Sequence, residues 1–185
     1  ESGAPISSWF PISMSGDPPG TDSEEYPTVA YNSTDNEYLV VWEQKETGGT
    51  SHFYGRRVDG DSGAVIGDRF GVNTFGNYAS SPDIVYIPSL NAYEVVYTFV
   101  LGSQRGVAWA RLDHEGTYIT QDFIASDYSN TYTHPAIAFE PTTNRLVVVW
   151  SKAVGTSTMG IEAQLQYVYG VNLCGVVEVT GQLSF

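Results

Sequence analysis

Apolar residues in this chain come in short runs broken by Asn, Gly and Pro, and three stretches are near copies of one another. Pro27-Thr28-Val29-Ala30-Tyr31 returns as Pro82-Asp83-Ile84-Val85-Tyr86 and as Pro135-Ala136-Ile137-Ala138-Phe139. An apolar run follows each: Tyr38-Leu39-Val40-Val41-Trp42, Tyr93-Glu94-Val95-Val96-Tyr97 and Leu146-Val147-Val148-Val149-Trp150. A repeat of this length marks one supersecondary unit used several times. No long window shows helical periodicity, so the unit is built of strands.

Each unit offers four strands. The first is the Pro-led segment, and proline suits the start of a strand, where its missing N–H does least harm. A turn follows, with Asn36, Asn91 and Asn144 at the same place; Asn tolerates left-handed backbone. The second strand is hydrophobic on both faces, which predicts that both are covered. The third covers Phe53–Asp59 and Val107–Asp113, with a looser match at Ile161–Leu165. The fourth carries Phe70-Gly71-Val72, Phe123-Ile124-Ala125 and Val177-Glu178-Val179. Four short antiparallel strands in about 50 residues describe one blade of a β-propeller. Trp42, Tyr97 and Trp150 are then expected as wedges in the contacts between blades.

The unit resembles the β-propeller-type tandem repeats of secreted and cell-surface proteins, in which a Tyr-Gly-x-Arg-Val-Asp strand follows the two apolar ones. Tyr54-Gly55-Arg56-Arg57-Val58-Asp59 completes that pattern. The resemblance covers most of residues 26–180 and implies an extracellular or cell-surface location. It leaves function open, because such repeats are scaffolds for many roles. The expected fold is all-β: three four-stranded antiparallel blades in one repeat domain. Residues 1–25 form an N-terminal strand and acidic loop, followed by repeats at 26–76, 77–130 and 131–185.

The extra strand is Ser8–Ser13, whose Phe10 aligns with Phe70, Phe123 and Val177. Closed propellers have four to eight blades, so three leave two apolar faces and strand edges open to partners. The chain is expected to associate with itself or with neighbouring repeats of a longer polypeptide. Trp9, Phe10 and Ile12 are the candidate self-association strand, joining by β-augmentation.

Charge removes several partner classes. Eight basic and 21 acidic residues give a net charge of -13, which disfavours nucleic acid and anionic membranes. No apolar stretch is long enough to cross a membrane as a helix. Cys174 stands alone, so no intrachain disulfide forms, and it has no charged neighbour to activate it.

Candidate chemistry is sparse. Asp59-Gly60-Asp61-Ser62-Gly63 has the look of a calcium loop but lacks the distal bidentate Glu. Asp59 and Asp61 are weak calcium candidates, better read as a β-turn; no other cofactor is expected. His52, His114 and His134 show no zinc-ligand spacing. Glu43, Glu94 and Glu162 are the glutamates placed by the predicted second and third strands, and their faces are not fixed by the sequence. Asn32-Ser33-Thr34 is a glycosylation sequon in a turn expected at the surface. No nucleophile elbow, phosphate-cradling glycine loop or Cys-His pairing is present. The sequence therefore reads as a non-enzymatic extracellular module for self-assembly, in a surface layer, fibre or adhesin. A carbohydrate-binding propeller with possible glycan partners, or a section of a glycosidase-like propeller, are the alternatives.

Overall fold

The computed structural model describes residues 7–13, 23–46, 48–72, 74–76, 78–153 and 158–168. The fold is all-β and propeller-like, with eleven strands among the described residues. The first blade comprises β1 (Ser23–Asn32), β2 (Glu37–Lys45), β3 (Ser51–Asp59) and β4 (Val65–Val72). The second comprises β5 (Tyr78–Ile87), β6 (Ala92–Leu101), β7 (Gln104–Asp113) and β8 (Tyr118–Asp127). The third holds β9 (Tyr132–Glu140), β10 (Arg145–Ala153) and β11 (Met159–Tyr167). Its expected fourth strand, Val177-Glu178-Val179, lies outside the described residues, as does Cys174.

Consecutive strands within each blade pair antiparallel. The first two blades are joined by a single parallel bridge, Ser51 to Tyr78. The first strands of successive blades, β1, β5 and β9, lie side by side.

The repetition extends to backbone detail. Asn36, Asn91 and Asn144 have φ of 55°, 45° and 56°, the left-handed turn conformation expected of them. The prolines differ from expectation. Pro27, Pro82 and Pro135 lie inside β1, β5 and β9 rather than at their starts. Each sits where the register slips, and the residue before it is left-handed: Tyr26 at 51°, Ser81 at 56° and His134 at 50°. A bulge releases one residue from the ladder, so the missing proline N–H costs nothing there.

Blades stack through their middle strands. Leu39, Val41 and Phe53 of the first blade pack against Tyr86, Tyr93, Val95 and Tyr97 of the second. Ile87, Val96 and Val107 on the opposite side of the second blade pack against Ile137, Leu146, Val148 and Trp150. This double cover explains why β6 is buried along nearly its whole length. Tyr97 and Trp150 are wedges between blades, and Tyr97 meets Phe53 edge-on with centroids 5.5 Å apart. Trp42 occupies the same repeat position but points away from the second blade. It is buried on the outer face of the first, against Tyr54.

Polar bonds reinforce the stack. The Asp83 carboxylate accepts from Thr28 Oγ1 at 3.0 Å on one side and from the Ile137 N–H at 2.9 Å on the other, so one side chain ties three blades. The Thr34 and Tyr86 hydroxyls meet at 2.6 Å across the first junction. Arg111 donates to Glu94 at 2.7 Å within the second junction. Burial pushes the Glu94 carboxyl up, and Arg111 offsets part of that effect.

The extra N-terminal strand is corrected by the structure. Residues 7–13, with Trp9, Phe10 and Ile12, form no strand. The segment crosses the β3–β4 hairpin, with the Phe10 ring against Gly63 and the Ile12 carbonyl accepting from Arg56 Nη1 at 3.0 Å. Pro11 removes one ladder donor from so short a segment. A side-chain anchor therefore holds it where strand pairing was expected.

Candidate functional site

A concavity lies between the second and third blades, at the ends where β5, β7 and β9 begin and β6 finishes. It is a shallow cleft of about 140 Å³ lined by Tyr78, Ser80, Thr98, Phe99, Val100, Arg105, Thr131 and Tyr132. That is below the few hundred Å³ of a pocket enclosing a drug-sized ligand, and suits one unit of a longer molecule. Each lining residue is placed by strand geometry. Tyr78 and Ser80 open β5, Thr98 to Val100 end β6, and Arg105 pairs with Val100 across the β6–β7 ladder.

The Tyr78 ring is exposed on one wall. The Ser80 and Thr98 hydroxyls meet at 2.9 Å beside it. Arg105 is exposed and its side chain makes no hydrogen bond or ion pair with another described residue. Tyr132 is buried and donates to Asp127 Oδ2 at 2.7 Å. Burial, then that bond, holds its phenol well above its ordinary range, so it stays protonated. The Asn130 side chain, then its backbone N–H, holds the Asp127 carboxyl well below the usual carboxylate range; Tyr132 and the Ser129 N–H add to this. Behind Tyr132, Glu162 accepts from Trp150 Nε1 at 3.0 Å and pairs with Lys152 at 3.2 Å. Lys152 lies 5.5 Å from the Tyr132 ring centroid. The cleft thus presents one open aromatic face, several hydroxyls and one cation, on a floor tied by hydrogen bonds.

The carboxylates singled out in sequence are not gathered here. Glu43 is buried at the first junction, near Ser51 Oγ at 2.8 Å and accepting from the Ser81 N–H at 3.3 Å. Glu94 pairs with Arg111 and Glu162 with Lys152. Asp59 caps its turn, accepting from the Ser62 N–H at 2.7 Å and the Ser62 hydroxyl at 2.5 Å. The Ser62 bonds lower its pKa. Among the described residues, no group of three or more His, Cys, Asp or Glu is placed to hold a metal ion.

The expected surface position of Asn32 is corrected. Its side chain is fully buried. Oδ1 accepts from the Thr34 and Asp35 N–H groups, and Nδ2 donates to Asp35 at 2.9 Å. The amide that would carry a glycan is consumed in closing the turn.

A scan against family models finds no match, and neither does a search of curated proteins. Solved structures do match. One is the crystal structure of an N-acetylgalactosamine deacetylase from F. plautii in complex with blood group B trisaccharide. It aligns with a TM-score of 0.60 at 14% identity, covering 80% of this chain and 51% of that one. The likeness is one of fold. A GH43 endo-arabinanase from Bacillus licheniformis aligns more loosely, with a TM-score of 0.47 at 14% identity, over 77% of this chain and 53% of that one. This chain spans about half the length of either structure. The expectation of a non-enzymatic module is corrected by the first of these findings: a solved structure that shares the architecture is an enzyme. Fold alone does not fix function, so missing sequence motifs do not decide the matter either way.

Proposed function

We propose that this protein is part of a carbohydrate-acting, glycosidase-like propeller, and that the cleft between its second and third blades holds one unit of the saccharide. The observation that carries the reading is the open Tyr78 ring flanked by Ser80, Thr98, Thr131 and Arg105, whose side chain bonds no other described residue. A sugar ring has an apolar face that suits an aromatic platform and an equatorial rim of hydroxyls that needs polar partners. Arg105 supplies donors in a fixed fork, fitted to a carboxylate or to paired hydroxyls. Asp127, the carboxylate bonded to Tyr132 of the cleft, is occupied by its own hydrogen bonds. The cleft therefore binds and positions, and the reacting groups lie elsewhere in the propeller. Support from the fold is general: a solved relative by architecture was crystallised with a trisaccharide.

The test is titration of the chain with neutral and acidic oligosaccharides, beside Tyr78→Ala and Arg105→Ala. Loss of the platform is expected to weaken all binding about tenfold, the scale of one aromatic contact. Loss of Arg105 is expected to weaken acidic sugars most. Saccharide binding unchanged in both variants, or no binding across the panel, removes the proposal.

A further inference from the structure

The two outermost blade faces are built as buried faces. In β11 the apolar residues Met159, Ile161, Ala163, Leu165 and Tyr167 point outward, while Gly160, Glu162, Gln164 and Gln166 are half-buried on the side of the second blade. A strand bordering water ordinarily shows the reverse pattern. Ile161 is 75% exposed and Leu165 54%. In β10, Val147 lies directly between Ala138 and Leu165, and Val149 between Ala136 and Ala163. Val147 and Leu165 align in the repeat with Leu39 and Arg57, and with Glu94 and Arg111, the cross-strand pairs buried or half-buried at the two internal junctions. The free face is thus more apolar than its two covered counterparts.

The opposite end carries the matching surface. Tyr31, Tyr38, Val40 and Trp42 align with Tyr86, Tyr93, Val95 and Tyr97, the set that the second blade presses onto the first. The ring pair is reproduced: Tyr31 and Tyr38 have centroids 5.0 Å apart, Tyr86 and Tyr93 5.3 Å. The Tyr31 hydroxyl donates to Asn36 as the Tyr86 hydroxyl donates to Asn91. Yet Tyr31 is 45% and Tyr38 40% exposed, against 7% and 0% for Tyr86 and Tyr93, while Val40 is half-buried and Trp42 is already covered within its own blade, so the two tyrosines are the open part of this surface. One chain therefore displays both halves of a junction it already forms twice internally.

We infer that a second copy of this chain covers these faces head to tail, the third blade of each copy seating the first blade of the other, so that two copies close a six-blade ring. Each junction continues the internal stacking between unlike faces, and a two-fold rotation relates the two junctions and closes the ring. Thr142 of one copy then faces Tyr31 of the other, as Thr34 faces Tyr86 within the chain. This inference is independent of the saccharide reading.

Light scattering of the eluting peak in size-exclusion chromatography tests it, at micromolar concentration, with Leu165→Glu and Tyr38→Glu made separately. The wild type is expected at about twice 20.2 kDa. Each variant is expected to run as a monomer with unchanged far-ultraviolet circular dichroism; both positions are exposed, so folding is preserved. Mixing the two variants leaves one junction with both surfaces intact, and is expected to restore part of the dimer. A monomeric wild type overturns the inference, as does a mass above two copies. Sensitivity to only one substitution also overturns it, because a face-to-face dimer would use a single surface.

Discussion

Replacing Asp83 by Ala is expected to loosen all three blades at once. The carboxylate takes one hydrogen bond from Thr28 and one from the backbone of Ile137. Bonds to a charged acceptor contribute about 1.5–3 kcal/mol each. Asp83 is half-buried, which places both toward the lower end, for a total of about 3 kcal/mol. In a chain of this size each kcal/mol moves the melting temperature by about 2–4 °C, so Asp83→Ala is expected to melt about 6–12 °C lower. Scanning calorimetry is the assay, because it also reports whether the blades still unfold together. Asp83→Asn retains one acceptor oxygen, enough for the Ile137 N–H, and is expected to lose about half as much. An Asp83→Ala protein melting within about 1 °C of wild type would refute the view that this side chain couples the blades.

Two further perturbations probe the packing and the acid response. A Cβ at Gly116 would meet the Phe70 ring at 2.0 Å, with φ already at +92°, so Gly116→Ala is expected to cost about 2–4 kcal/mol in urea unfolding; adding Phe70→Leu should recover the steric part and leave the backbone strain. Hydrogen bonds from the Thr143 and Thr142 side chains, then from their backbones, hold the Glu140 carboxyl down at about 2. Its folded pKa lies below the unfolded value, so its contribution is complete above the ordinary value of 4.5 and is lost as pH falls toward 2. Glu140→Gln is expected to flatten the melting temperature across that window and to change it little with pH above it, a comparison that circular dichroism melts at stepped pH will check.

Strand positions were legible from short apolar runs recurring at the repeat period, and the turns from Asn36, Asn91 and Asn144, because both are local properties of the backbone. The wedge positions of Tyr97 and Trp150 were legible from the repeat. Trp42 shares their register but is buried within its own blade against Tyr54, since among the described residues no blade precedes the first. The Ser8–Ser13 segment matched a strand by alignment alone. It lies instead across a hairpin, held by Arg56 and Gly63, contacts no local pattern encodes. Asn32 carries a surface motif, but its amide turns inward to close the turn.

By itself, then, the sequence determined the unit: short strands, a left-handed Asn in the turn between the first two, and an aromatic wedge closing the second. These depend on neighbours a few residues apart, and the periodicity prints them directly. Tertiary structure alone decided what meets what. It set Asp83 between Thr28 and Ile137, gathered Tyr78, Arg105 and Tyr132 into one cleft, and turned the apolar side of β11 toward solvent. Alternation defines two sides of a strand equally well; only the stacking of sheets settles which of them is covered.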